Sequence, residues 1–390
     1  MPESIITRDL APLIHGSAEL EMTSRGLRPH RLPGWARAQC TDGQLAMAEA
    51  QPSGVRLRFR TQATSVELVC LPTKLEYVGV PSRPENLYDL LVDGELFSQG
   101  AADGGNTLLI DMGRGTMQQV TGEPGSVTFT GLPRRDKDIE IWLSFREVTE
   151  LVELRTDAPV VPAAPSVRRT WLHHGSSISH GSDAASPSRI WPAVAAALGQ
   201  VDLHNLGLGG SALLDPFVAR TMRSTAADLI SVKVGINLVN LDLMRRRAFG
   251  PALHGFLDTI RDGHPDAPLL VVSPIYCGIH ETTPGPTMPV LDDGPPHFRA
   301  GGDPNGVATG QLTLTVIREE MRSIVEYRRT IDPHLHHLDG LDLYNSDDVD
   351  AHPLPDQLHP DPATHELIAT RFAERTFTRG GAFSPPSPFS

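Results

Sequence analysis

Four short segments of this sequence contain the residue types that acyl transfer by a serine requires. Those segments are Gly175-Ser176-Ser177-Ile178, Gly209-Gly210-Ser211, Gly235-Ile236-Asn237 and Asp356-Gln357-Leu358-His359. The reaction needs a hydroxyl nucleophile, a base with a carboxylate that orients it, and N–H donors for the negatively charged intermediate. The four segments offer a candidate for each of these parts.

Ser177 is the candidate nucleophile, and His359 is the candidate base. A hydroxyl is a poor nucleophile at neutral pH, so Ser177 needs such a base. Asp356 precedes His359 by three residues, and its carboxylate can hold the imidazole tautomer whose free nitrogen faces the serine. The sequence therefore predicts a catalytic triad of Ser177, His359 and Asp356.

Three donors are expected to stabilise the oxyanion of the tetrahedral intermediate. They are the backbone N–H groups of Ser177 and Gly210 and the side-chain amide of Asn237. A donor of this kind contributes about 3–4 kcal/mol in comparable sites. Gly210 has no Cβ, so the backbone at this position can approach a substrate carbonyl closely.

Other kinds of site fit the sequence less well. The glycines of 207–210 match neither the GxGxxG nor the GxxxxGK[ST] pattern of phosphate-binding loops. His173 and His174 could ligate a metal, but no third and fourth ligand follows at a useful spacing. The GxSxG motif of α/β-hydrolases fails because position 179 is serine. We therefore predict a site without metal or cofactor.

The N-terminal part of the chain has the periodicity of β-strands. From about Ala18 to Thr156, apolar and polar residues alternate in short runs such as Val55–Arg60 and Ile139–Phe145. Such runs predict an antiparallel β-sandwich, jelly-roll-like, over residues 1–156. The proline-rich stretch at 157–168 predicts a stiff linker, and residues 381–390 predict a flexible tail.

Residues 169–380 form the second predicted domain, in which strands alternate with helices. This alternation predicts a parallel sheet with helices on both faces. Strands are expected at 170–173, 201–206, 229–234, 269–273 and 334–338, and helices at 190–198, 212–227, 249–261, 312–327 and 363–375. Strand ends that lead into helices share one edge of such a sheet, where ligands bind. The four segments follow different strands, so we expect them to meet at that edge.

A long segment at 278–310, rich in proline and glycine, follows the fourth strand of this domain. Loops of this length inside a domain are usually functional. We expect it to lie over Ser177 and to shape the pocket for the acyl group or the alcohol. The alternative is a mobile surface loop.

The overall composition limits the classes of function. A chain of 390 residues exceeds one usual hydrophobic core, so two domains are expected. A formal net charge of -13 argues against a nucleic-acid partner. Cys40, Cys70 and Cys277 form no CxxC pair, which predicts a reduced, cytoplasmic protein. We find no signal peptide and no run of eighteen apolar residues, so no membrane association is expected.

The four segments resemble diagnostic blocks of the SGNH, or GDSL, hydrolase family. The blocks are matched by residues 175–181, 205–210, 235–237 and 356–360, and the resemblance covers roughly 168–378. It implies a flavodoxin-like, three-layer α/β/α fold and metal-free ester chemistry. Ser176 stands where the family usually has aspartate, a change that affects local hydrogen bonding because that residue is not the triad acid. The layout of the two domains is similar to that of GDSL-type acyltransferases of polyketide tailoring.

Three hypotheses for function follow. The first is hydrolysis of a small, carbohydrate or natural-product O-acyl ester through an acyl-enzyme on Ser177. The second is acyl transfer, in which a hydroxyl of a polyketide or sugar replaces water. The third is a carbohydrate-binding protein with an inert α/β domain. The first two predict a small-molecule ester or acceptor as partner, and all three leave the oligomeric state open.

Overall fold

The computed structural model describes residues 4–79, 85–111, 114–290 and 295–384. The predicted tail from residue 385 onward and residues 291–294 of the predicted insertion lie outside the described residues. Two units can be distinguished. The first comprises Met1–Arg37, Ala46–Val167 and Ser186–Ser188, and the second comprises Ala38–Leu45, Arg168–Ala185 and Arg189–Ser390. The second unit thus includes a short segment from the N-terminal part of the sequence.

The first unit is built from short strands. Strands β1 to β14 lie at Ile5–Thr7, Ile14–His15, Glu19–Met22, Leu27–His30, Arg56–Thr61, Ser65–Tyr77, Leu87–Val92, Glu95–Ala101, Asn106–Asp111, Thr116–Val120, Gly125–Thr130, Lys137–Trp142, Glu147–Thr156 and Val160–Pro162. Helices α1 and α2 lie at Gly34–Arg37 and Gly43–Ala50, the latter with its first residues in the second unit. A short 3-10 helix covers Ala11–Leu13.

These strands form two sheets that face each other. One sheet has the order β10-β9-β6-β13-β4-β3, with β1 on β13 and β11 on β6, and the other has the order β14-β5-β12-β7-β8, with β2 on β5. The pairings are antiparallel except that β6 and β9 are parallel. Alternate residues of β5 and β6, including Leu57, Phe59, Val66 and Leu68, share one buried hydrophobic cluster. The predicted β-sandwich is confirmed.

The predicted linker at 157–168 is partly strand instead. Asp157 accepts the backbone N–H groups of Thr64 at 2.7 Å and Ser65 at 3.1 Å. Val160–Pro162 then forms β14, which pairs with β5 at the edge of its sheet. An edge position tolerates proline because one side of the strand makes no ladder hydrogen bonds. The sandwich therefore extends to Pro162.

The second unit alternates strands and helices. Strands β15 to β21 lie at Thr170–Gly175, Asp202–Gly207, Leu229–Lys233, Leu269–Val272, Thr287–Val290, His297–Ala300 and Leu335–Leu338. Helices α3 to α9 lie at Ser177–His180, Trp191–Leu198, Pro216–Ser224, Ile236–Asn240, Arg246–Arg261, Leu314–Arg328 and Pro362–Thr376. Short 3-10 helices cover Gly278–His280, Pro304–Thr309, Gly340–Asp342 and Ser346–Asp348.

The central sheet of this unit is parallel and has helices on both faces. Its order is β16-β15-β17-β18-β21, so the first strand in sequence lies between the second and the third. Trp171 of β15 stacks on Phe372 of α9 at 5.1 Å between ring centroids, whereas His174 of β15 stacks on Phe256 of α7 at 5.8 Å. Residues three apart on a strand point to opposite faces, so α7 and α9 cover opposite sides. The predicted flavodoxin-like α/β/α fold is confirmed.

A membrane-spanning helix would have to be long and continuously apolar, and no helix among the described residues meets that requirement.

Candidate active site

The candidate nucleophile lies directly after the first strand of the parallel sheet. Strand β15 ends at Gly175, and Ser177 is the first residue of α3. The Oγ of Ser176 accepts the N–H of Ile178 at 3.4 Å and so caps this helix. A Cβ at position 175 would lie 2.3 Å from Ser179 Oγ, which explains why the turn requires glycine. Ser176 therefore serves as a helix cap where the family usually has aspartate.

The structure brings Ser177, His359 and Asp356 together. His359 Nε2 lies 3.0 Å from Ser177 Oγ, and His359 Nδ1 lies 2.6 Å from Asp356 Oδ2. The second carboxylate oxygen, Oδ1, accepts the backbone N–H groups of Leu358 at 2.9 Å and His359 at 2.6 Å. A continuous chain of hydrogen bonds thus runs from the hydroxyl through the imidazole to the carboxylate.

The surroundings of Asp356 favour its ionised form. Burial by itself would raise the pKa of this carboxyl group, but the hydrogen bond from the His359 ring, its charge and the two backbone N–H groups together lower that pKa. An ionised Asp356 can only accept hydrogen bonds, so the proton of the imidazole lies on Nδ1. The lone pair of Nε2 then faces Ser177 Oγ, as a general base requires.

The predicted insertion contacts the segment that carries His359. Phe298 of β20 donates its backbone N–H to the carbonyl of Asp356 at 2.9 Å. The Phe298 ring meets the His359 ring edge-on, with 6.0 Å between centroids. Gln357, between the triad residues, has a left-handed φ of 68°, and its carbonyl accepts the Cys277 thiol at 3.4 Å. The insertion therefore lies against the segment that carries the candidate base, and its predicted role in shaping the pocket stays a prediction.

Gly210 lies in a tight turn beside Ser177. The N–H of Ser211 donates to the carbonyl of Leu208 at 3.0 Å, and Gly210 has a φ of 70°. Because Gly209 has no positive φ, these features define a type II turn over 208–211. The N–H of Leu208 donates to the carbonyl of Gly175 at 2.8 Å, which ties the turn to the end of β15.

Asn237 joins the third strand end to the same turn. Its Oδ1 accepts the backbone N–H of Ala212 at 3.1 Å, and the residue is only 2% exposed. A backbone N–H can only donate, so the amide oxygen must face Ala212 and the Nδ2 donors lie at the other end of the amide. Among the described residues, no acceptor bonds to this Nδ2 or to the N–H of Ser177 or Gly210. All three predicted oxyanion donors are thus uncommitted in the structure.

The two histidines next to the nucleophile loop are part of the core. His173 bonds through Nδ1 to Ser231 Oγ at 2.7 Å and through Nε2 to Ser179 Oγ at 2.8 Å. Burial, with smaller effects of His174 and Lys233, holds the pKa of His173 well below its usual value. His173 is therefore a neutral packing residue with both ring nitrogens occupied.

Sequence reasoning missed two ionisable residues near the triad. Asp183, an exposed residue, has a carboxylate oxygen within 4.8 Å of ligand-type atoms of Asp356 and His359. Both His359 ring nitrogens are already hydrogen-bonded, so this cluster is poorly suited to a metal. Lys233 at the end of β17 is 3% exposed, and burial lowers its pKa to about 8. No motif marks either residue in the sequence.

A parallel α/β sheet with a serine, histidine and aspartate hydrogen-bonded in series at its edge is found in serine-dependent hydrolases and acyltransferases. Residues 169–280 match the model of the GDSL-like Lipase/Acylhydrolase family. The chain is therefore an enzyme in which a β-sandwich precedes an α/β domain that is similar to GDSL-like, or SGNH, hydrolases over residues 169–280.

Several solved structures are similar to this chain over nearly its whole length. The salicylyl-acyltransferase SsfX3 from a tetracycline biosynthetic pathway is 27% identical, with a TM-score of 0.76 and 95% of each chain covered. A protein of Bacteroides ovatus described as a GDSL-like lipase is 16% identical, with a TM-score of 0.66 and coverage of 95% and 96%. A family two carbohydrate esterase from Clostridium thermocellum, in complex with cellohexaose, is 13% identical, with a TM-score of 0.59 and coverage of 93% and 97%. The last two likenesses concern the fold alone. A search of curated proteins finds no match.

Proposed function

We propose that Ser177 is the nucleophile of an ester-cleaving reaction that proceeds through an acyl-enzyme. His359 Nε2 takes the hydroxyl proton as Ser177 Oγ attacks the ester carbonyl carbon, and His359 then returns this proton to the departing alcohol. A second acceptor, water or another alcohol, releases the acyl group by the same steps in reverse. The proposal rests mainly on the hydrogen-bond chain of 3.0 Å and 2.6 Å through His359.

The oxyanion formed in each step would be held by the N–H groups of Ser177 and Gly210 and by Asn237 Nδ2. The absence of a protein acceptor for these donors in the described residues supports this role. Donors placed before the reaction stabilise the developing charge without reorganising during it. No metal or cofactor takes part in this mechanism.

The substrate is a small-molecule O-acyl ester of a carbohydrate or natural product, turned over in the cytoplasm. We propose that the insertion forms one wall of the pocket. Support comes from Phe298, whose ring lies edge-on to the candidate base at 6.0 Å. An aromatic ring at this position limits both the size of the substrate group and the access of water to the acyl-enzyme.

Acyl transfer to a hydroxyl of a polyketide or sugar is the second candidate. It is favoured by the 27% identity to the salicylyl-acyltransferase over 95% of both chains. Hydrolysis and transfer use the same triad and differ only in the second acceptor. The outcome depends on how well the pocket excludes water while an alcohol is bound.

The proposal is tested by Ser177→Ala, with Ser224→Ala at the exposed end of α5 as the matched control. Turnover of a short p-nitrophenyl ester and labelling by a fluorophosphonate probe should both disappear in Ser177→Ala, a loss of about 10⁴–10⁶-fold in kcat. The control should behave like the wild type. Mass spectrometry of the products, with and without an added alcohol, distinguishes hydrolysis from transfer. Retained turnover in Ser177→Ala would refute the proposal, and a wild type that is never labelled would favour the carbohydrate-binding hypothesis.

A further inference from the structure

One residue from the N-terminal part of the sequence reaches the turn that carries Gly210. Gln44 lies in the first turn of α2, within the segment Ala38–Leu45 that belongs to the second unit. Its Nε2 donates to the carbonyl of Gly209 at 3.0 Å. A Cβ built on Gly210 would lie 3.1 Å from Gln44 Cγ, so the side chain packs directly against this glycine.

The segment that presents Gln44 is itself held in place. Asp42 Oδ1 accepts the N–H of Leu45 at 2.8 Å and so caps the start of α2. Leu45, the residue after Gln44 in α2, is buried, with 4% of its surface exposed. Gln44 is exposed, but it lies between a capped helix start and a buried leucine.

The orientation of one peptide group decides where the N–H of Gly210 points. In a trans peptide, the carbonyl of Gly209 and the N–H of Gly210 point in opposite directions. Type I and type II turns differ mainly by rotation of this central peptide, which reverses both groups. Neither Gly209 nor Gly210 has a Cβ, so the backbone resists this rotation less than at any other pair of residues.

We propose that Gln44 is a positioning residue that holds the Gly209–Gly210 peptide with the Gly210 N–H directed into the oxyanion site. The hydrogen bond to the Gly209 carbonyl selects the type II turn and therefore fixes the N–H on the opposite side of the peptide. The turn lies beside the nucleophile, since a Cβ at Gly209 would be 4.0 Å from Ser177 Cα. This inference rests on the proposed role of Gly210 in the reaction.

A positioning role differs from a merely structural one in what it changes. Loss of the Gln44 hydrogen bond frees the peptide to rotate and removes one oxyanion donor for part of the time. The transition state then loses stabilisation. The ground-state ester loses little, because its neutral carbonyl makes weaker hydrogen bonds to the donors. The effect should appear in kcat and in the affinity for analogues that carry an oxyanion, with KM little changed.

The test uses Gln44→Met, which keeps the shape but removes the donor, and Gln44→Glu, which places a carboxylate against the Gly209 carbonyl. Gln118→Glu on the exposed strand β10 controls for the added charge. We expect kcat to fall about 3- to 10-fold in Gln44→Met and further in Gln44→Glu, with KM within about twofold. Binding of a trifluoromethyl ketone should weaken by the same factors. Ser177 Oγ adds to the carbonyl carbon of this ketone, its proton passes to His359, and the new oxyanion occupies the donor site.

The outcomes separate this inference from the proposed function. An inactive Ser177→Ala enzyme together with unchanged kcat and unchanged ketone affinity in both Gln44 variants overturns the role of Gln44 alone. A Ser177→Ala enzyme that stays active overturns both. A lowered melting temperature with kcat intact at low temperature shows that Gln44 only supports the fold, and it also overturns the inference.

Discussion

Two buried lysines, Lys137 in the sandwich and Lys233 in the parallel sheet, have contrasting surroundings. The Lys137 ammonium donates to the backbone carbonyls of Ala63 at 2.6 Å, Arg135 at 3.3 Å and Thr61 at 3.4 Å. The Lys233 ammonium has no acceptor among the described residues and lines a small cavity beside Leu358. The sandwich thus compensates its buried cation, and the sheet beneath the triad does not.

Two carboxyl groups, the buried Glu147 of the sandwich and the partly buried Asp356 of the site, differ in the opposite sense. Glu147 in the sandwich accepts the Tyr88 hydroxyl at 2.6 Å and the Asn86 amide at 2.8 Å, and burial nevertheless raises its pKa to about 7. Burial also acts on Asp356, but the bond from the His359 ring and two backbone N–H groups lower that pKa overall. The sandwich therefore favours a proton on its buried acid, whereas the site keeps its acid charged.

The contrast between the two lysines points to different demands on the two regions. A stable core pairs its buried polar groups within the protein, because a buried donor without an acceptor lowers the free energy of unfolding. At the edge of the parallel sheet, the Ser177 and Gly210 N–H groups and Asn237 Nδ2 have no partner in the described residues. We infer that these donors find their partner only when an oxyanion forms, so the cost in stability is offset in catalysis.

Among the variants that test this comparison, replacement of an uncommitted donor should have the largest effect. Asn237→Ala should lower kcat by about 10²–10³-fold, because one oxyanion donor is lost. The free energy of unfolding should fall by only about 1 kcal/mol for the lost bond to Ala212. Asn86→Ala, which removes a satisfied amide in the sandwich, is the control and should leave kcat unchanged. Ester kinetics and urea unfolding measure both quantities, and a normal kcat in Asn237→Ala would remove the oxyanion role.

The succession of strands and helices along the second domain, and the edge of the sheet at which the candidate site lies, could be predicted from the sequence because both follow from local patterns. Buried runs such as Leu229–Lys233 and Leu269–Val272 lie within a residue or two of the predicted strands. Parallel topology then places Ser177, Asn237 and His359 at one edge without further information. The catalytic roles of these residues stay predictions.

Features that depend on distant contacts could not be predicted. The bond between Gln44 and Gly209 joins residues 165 positions apart, and nothing in the spacing of either segment indicates it. The helix predicted at 212–227 begins only at Pro216, because Leu214 takes a left-handed φ of 62°, which a right-handed α-helix does not accommodate. Local periodicity carries no information on such backbone conformations, which tertiary contacts stabilise.

The second prediction concerns the buried acid of the sandwich. The folded-state pKa of Glu147 lies near 7, above its ordinary value of 4.5, so the folded protein binds more protons than the unfolded chain between these pH values. Stability from this group is present below about pH 4.5 and is lost as the pH rises through 7, by about 3 kcal/mol. The free energy of unfolding should therefore fall more between pH 5 and pH 8 in the wild type than in Glu147→Gln. Urea unfolding of both proteins at the two pH values measures this difference. Identical pH dependence in the two proteins would mean that Glu147 is charged throughout.

The smallest expected effects, and the most direct comparison of the two regions, come from replacing the lysines. Lys137→Met removes the ammonium group that donates to three backbone carbonyls, and it should lower the free energy of unfolding by about 1–2 kcal/mol. Lys233→Met removes an uncompensated buried charge and should raise it by about 1–2 kcal/mol at pH 7. The folded-state pKa of Lys233 is about 8, against an ordinary value of 10.5. The free energy of unfolding of the wild type therefore rises with pH between these values. The advantage of Lys233→Met over the wild type should accordingly be smaller at pH 10 than at pH 7. If Lys233→Met instead destabilises the protein as Lys137→Met does, the ammonium beneath the triad has an acceptor in solution, and the contrast between the two regions fails.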